Sequence, residues 1–94
     1  MNKINFYFDE KKYVRLRIHS SNNEFFYIKN ASWKLFTMEK HVLKKILHGE
    51  CEIDVEKKML NILLEPCAKG IYLLEVVYSI TNERFKEKVK IEVI

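Results

Sequence analysis

The stretch Leu64-Glu65-Pro66-Cys67-Ala68-Lys69-Gly70-Ile71-Tyr72 decides how the rest of the chain is read. It follows Leu60-Asn61-Ile62, whose apolar side chains share one face of a strand with Leu64. Pro66 has no N–H and stops that ladder. Gly70 can take a positive φ where the chain turns into the next strand. Tyr72 opens a new apolar alternation and can return its hydroxyl to the backbone of the same corner. So read, the stretch carries the chain from one sheet to another. The plainer alternative is a loop with a glycine ahead of a buried tyrosine.

On the C-terminal side, Tyr72, Leu74, Val76, Tyr78 and Ile80 fall on one face, while Leu73 and Val77 share the other with Glu75 and Ser79. A strand apolar on much of both faces belongs in the middle of a sheet. Phe85, Val89, Ile91 and Val93 then alternate with Lys86, Lys88, Lys90 and Glu92, with Glu87 on the apolar side. On the N-terminal side, Val14, Leu16 and Ile18 alternate with Tyr13, Arg15, Arg17 and His19, and Ile4, Phe6 and Phe8 with Lys3, Asn5 and Tyr7. Polar turn clusters separate these runs, as in a sandwich or barrel. Residues 34–47 stay open. Leu35, Met38, Val42 and Ile46 are spaced for a helix face, whereas the aromatic residues and Thr37 favour two strands, about 31–39 and 42–48.

The corner resembles the Leu-x-Pro-x-Asp-x-Gly-x-Tyr corner of immunoglobulin-like domains, with Leu64, Pro66, Gly70 and Tyr72 in place and Ala68 where the aspartate usually stands. The expected fold is therefore all-β: one immunoglobulin-like antiparallel β-sandwich of about seven to eight strands spanning residues 1–94. Trp33, Leu74 and Val76 are its expected core, with Trp33 as the buried tryptophan of the third strand. In the order Ala31-Ser32-Trp33-Lys34-Leu35-Phe36, Gly49 to Asp54, Leu60-Asn61-Ile62, Gly70-Ile71-Tyr72 and Val89 to Ile94, the chain is also similar to the N-terminal domain of phage baseplate upper proteins and related phage structural proteins. It has fewer hairpin glycines than such domains usually show. That resemblance implies a place in a virion or its tail machinery.

The net charge of +4 is uneven: Met1 to Leu47 carries 10 basic and 4 acidic residues, the remainder 7 and 9. Such asymmetry can attract an acidic partner, although Lys-, Ile- and Asn-rich usage is also what an AT-rich genome produces. Two cysteines, Cys51 and Cys67, make no disulfide framework, and whether they pair is left open. No apolar run reaches the roughly 18–20 residues that span a bilayer. The first residues lack the apolar stretch of a signal peptide. The chain therefore reads as made and kept in a cytoplasm, or carried in a phage particle.

Nothing here assembles a catalytic, cofactor or metal site. His48 and Cys51 with Cys67 offer three metal ligands where zinc wants four, and His41 and His19 have no fixed relation to them. The same His48–Cys51 spacing supplies neither an oriented base nor a pocket for a thiol nucleophile. Glu50, Glu52, Asp54 and Glu56 alternate as a solvated sheet face does. Lys29, Lys34, Lys40, Lys44 and Lys45 accompany Phe25, Phe26, Tyr27, Trp33 and Phe36, the mixture that binds single strands. A small sandwich needs those rings for its core, which argues against nucleic acid.

The expected role is that of a non-catalytic structural or interaction module, a phage tail or baseplate component that packs against itself or a neighbouring structural protein. Tyr7, Tyr13 and Leu73 are its candidate contact residues, and Lys86, Lys88 and Lys90 read as charges protecting an open sheet edge. The alternatives are recognition of a surface glycan or protein through loops at Ser20–Asn23 and Thr81–Arg84, and nucleic-acid binding by the basic front half.

Overall fold

The computed structural model of the chain describes residues 2–19, 26–39, 42–66 and 68–94. Among them are eight strands and no helix: β1 (Asn2–Phe6), β2 (Lys12–Arg17), β3 (Ile28–Glu39), β4 (Val42–Glu50), β5 (Glu52–Asp54), β6 (Met59–Leu64), β7 (Gly70–Ile80) and β8 (Glu83–Val93). They form a five-stranded sheet, β1-β8-β7-β3-β4, and a three-stranded sheet, β2-β6-β5. Residues 34–47 thus form the arms of a hairpin. The helical spacing of Leu35, Met38, Val42 and Ile46 is coincidental, because β3 and β4 run antiparallel and the register slips between Leu35 and Phe36.

The pairing is antiparallel except for β1, which lies parallel to β8 with Asn2 beside Val89 and Phe6 beside Val93. This one pairing departs from the expected antiparallel sandwich. The turn after Phe6 passes the chain to the smaller sheet, so β1 edges the larger one in the direction β8 already runs. Phe8, expected on the strand, lies in that turn and is exposed. Among the described residues, three non-glycine positions take positive φ: Lys58 at 55° and Thr81 at 51° in hairpin turns, and Asp9 at 66° in the turn between the two sheets. This is how the chain turns with so few glycines.

The core is the apolar alternation of both sheets brought face to face. Val14, Leu60, Ile62 and Leu64 from the smaller sheet meet Leu35, Leu74, Val76, Val89 and Ile91 from the larger. Leu35 pairs with Leu74, which pairs with Val89, so three fully covered residues cross the centre of the larger sheet. Trp33 is not at that centre. It faces inward two residues away, partly buried. Its partner Gly49 has no side chain, and the indole fills that space: an added Cβ would lie 3.0 Å from ring atoms Cζ2 and Nε1.

At the corner, Leu64 and Pro66 are buried, Gly70 has φ 144°, and the Tyr72 hydroxyl donates a 2.6 Å hydrogen bond to the Ala68 carbonyl. Tyr72→Phe keeps the ring and removes only that bond. The expected loss is about 1 kcal/mol, read as a fall of roughly 4–8 °C in Tm for a domain of this size. An unchanged Tm would mean that the bond does not brace the crossover.

Candidate interaction surface

Alternation sends half of every strand in the larger sheet outward. β8 presents Arg84, Lys86, Lys88, Lys90 and Glu92; β7 presents Ile71, Leu73, Glu75, Val77 and Ser79. β3 adds Ser32, Lys34, Phe36 and Met38, and β4 adds Leu43 and Lys45. The face has two halves. At one end Leu73 lies between Phe36 and Lys90, Met38 pairs with Leu43, and Ile71 lies beside Glu92. Met38, Leu43 and Ile71 are 48%, 49% and 42% exposed, so the end is a wet apolar cluster. At the other end Lys34, Arg84 and Lys86 line a shallow groove with Asn30, Ser32 and Glu75.

Leu73, a candidate contact residue, points to this face but is only 7% exposed. Phe36 and Lys90 flank it and cover it, so it supports the cluster from beneath. Tyr7 and Tyr13 lie elsewhere. Tyr7 is in the β1–β2 turn, where its N–H donates to Glu10 Oε1 at 3.0 Å. Tyr13 is on the outer face of the smaller sheet, opposite Leu63 and 5.1 Å from the Arg15 guanidinium. The three do not form one patch. The lysine row divides. β1 pairs with β8 only from Val89 to Val93, so Lys90 lies on a covered stretch, whereas Lys86 and Lys88 border a stretch of β8 with no neighbour on that side among the described residues.

Ion pairs hold part of this charge. Lys3 bonds Glu92 at 2.6 Å and holds its carboxyl below the usual range, and Lys86 is 4.0 Å from Glu75. On the inner face near the end of β8, the Tyr78 hydroxyl donates to Glu87 at 3.5 Å, and burial, with Glu87 next, raises its pKa.

The remaining candidates separate. Cys51 is a buried free thiol, pushed to about 11 by burial and then by Glu50, so it is not a thiolate at neutral pH. His48 pairs with Lys34 on the outer sheet face, whereas Cys51 belongs to the core. Cys67, His41, Lys40, Phe25 and the Ser20–Asn23 loop lie outside the described residues. Glu50 lies on the larger sheet, Glu52 and Asp54 on the smaller, and Asp54 Oδ1 accepts the Lys57 N–H at 3.0 Å. At the loop end, Lys58 Nζ sits 5.4 and 5.6 Å from the rings of Phe26 and Tyr27. An open cleft at the sandwich margin is lined by Trp33, Leu47, Leu63, Leu64 and Pro66, with Asp9, Lys11 and Glu65 around it.

No family model and no curated protein matches the chain. Solved structures do. An extracellular domain of the voltage-gated sodium channel β4 subunit, in a study of parallel homodimers and cell–cell adhesion, is similar with a TM-score of 0.53 and 11% identity over 99% of this chain and 90% of that one. A structure from a photo-crosslinking study of the multimeric cell-adhesive interactions of sodium channel β subunits has a TM-score of 0.52 and 12% identity over 99% and 91%. The fold is immunoglobulin-like. Here β7 and β8 are the last two strands, the corner precedes β7, and Cys51 is a free thiol. The likeness supports the immunoglobulin-like part of the sequence resemblance and leaves the phage part unsupported.

Proposed function

We propose that this domain is a non-catalytic interaction module that binds another protein through the outer face of its five-stranded sheet. One observation carries the reading. Met38, Leu43 and Ile71, from three strands, are exposed together over Phe36 and Leu73. Contiguous apolar surface of this kind marks contact sites more often than scattered single residues do. The similar structures come from studies of homodimers and adhesive interactions. A phage tail or baseplate is one assembly in which such a module would serve. Its gene would then lie among tail genes.

A photo-crosslinking amino acid in place of Met38, expressed in the native host, tests the contact. We expect a discrete protein adduct at Met38 and none at Glu56, an exposed turn position. Ile71→Lys should cut the adduct about tenfold, the equivalent of roughly 1.4 kcal/mol at a contact residue, with Tm unchanged because Ile71 is not core. Equal adducts at both positions, or none at Met38, would sink the reading.

A further inference from the structure

We infer that the occupant of this face is a protein with an apolar knob beside an acidic flank, and not a second copy of the chain; the inference rests on the function proposed above. The lysine row is the starting point. Arg84, Lys86, Lys88 and Lys90 stand at alternate positions of β8, roughly 6.8 Å apart along the strand. β1 covers β8 only from Val89 to Val93, so Lys86 and Lys88 also border an open stretch of edge, but all four residues stand on the outer face of the sheet, beside Ser79, Val77, Glu75 and Leu73. The acidic residues beside the row are already engaged, Glu75 by Lys86 and Glu92 by Lys3. Arg84, Lys88 and Lys34 have no ion pair among the described residues, and register places Lys34 and Lys88 on either side of Glu75. The face is therefore electropositive next to its apolar end.

That combination selects among partners. Two copies meeting by this face would oppose like charges, which costs binding and is a common device against wrong partners. A nucleic-acid strand would need rings to stack on. Phe36 is the aromatic residue among those outward positions, and it is partly buried at the apolar end. A sulfated polysaccharide would neutralise the lysines and leave Met38, Leu43 and Ile71 wet. A protein surface with aliphatic side chains followed by carboxylates satisfies both halves and fixes orientation, aliphatic part over Ile71 and acidic part along β8.

The test is an NMR titration of the whole chain at low ionic strength with four probes: a 12-residue peptide (roughly four leucines, then glutamates), an all-glutamate peptide, oligothymidylate and a heparin fragment. The leucine–glutamate peptide should bind about tenfold tighter than each of the others. Its shifts should run from Phe36 and Ile71 to Lys88. Lys88→Glu, with its fold checked by the dispersion of its amide spectrum, should weaken it about tenfold, and added salt should weaken it further. Oligothymidylate or heparin binding as tightly as the peptide overturns the inference. So does a concentration-dependent dimer in sedimentation that Ile71→Lys abolishes. If Lys88→Glu has no effect while Ile71→Lys removes binding, the acidic partner falls and the interaction module stands. If Lys88→Glu abolishes binding and Ile71→Lys does nothing, the apolar contact and the proposed function fall together.

Discussion

Leu74→Ala should remove about 3 kcal/mol of stability, within the usual range for a leucine truncated in a packed core. Leu74 is 0% exposed on β7, the middle strand of the larger sheet, with Leu35 on one side and Val89 on the other. Both neighbours are themselves fully covered, so neither can swing in to fill the hole. Domains of this size hold roughly 5–15 kcal/mol in all, so the loss is a large share, and Tm should fall by about 12–24 °C. Leu73→Ala, one residue earlier, removes the same atoms from the outer face, where solvent and the Lys90 chain can close over the gap. It should cost about half as much. Urea unfolding of the two variants checks the pair. Equal losses would mean that the two faces of β7 are not the core and surface described.

Gly49→Val should cost about 2 kcal/mol, as overpacking does where a rigid group cannot move aside. A valine ordinarily favours a strand over glycine, so a loss here is diagnostic. The obstacle is Trp33, whose ring atoms would stand 3.0 Å from the new Cβ. An indole is rigid, and it is backed by the core. The ring must give way by at least a few tenths of an ångström, and as Trp33 is the one tryptophan in the chain its emission reports the move directly. In a Trp33→Leu background the same Gly49→Val change should cost little. The coupling in that double-mutant cycle isolates the contact. A full-sized loss without Trp33 would place the damage in the β4 backbone instead.

The class of fold was legible because burial on one face of a strand writes a period of two into the chain. Val89, Ile91 and Val93 show it from the inner face, and β7, apolar on both faces, lies mid-sheet as its pattern implied. Residues 34–47 were ambiguous for a physical reason: a hairpin whose register slips at Leu35/Phe36 scatters its apolar residues at spacings that mimic a helix. The candidate surface was much less legible. It joins β3, β4, β7 and β8, and no local pattern states which strands become neighbours. Lys86, Lys88 and Lys90 therefore read alike as edge guards, although β1 covers β8 beside Lys90 and stops short of Lys86 and Lys88. Leu73 read as exposed because the side chains that shield it, Phe36 and Lys90, are far from it in sequence. Tyr7 and Tyr13 drew notice as exposed aromatics, but exposure does not say which residues share a surface.

The parallel pairing of β1 with β8 sets how the domain bears a mechanical load. A pull on Asn2 against a pull on Val93 runs along both strands in opposite senses. The five paired positions from Asn2–Val89 to Phe6–Val93 are then dragged past one another at once, not peeled apart singly. The Lys3–Glu92 ion pair crosses the same seam. Tension along that line meets a shear clamp.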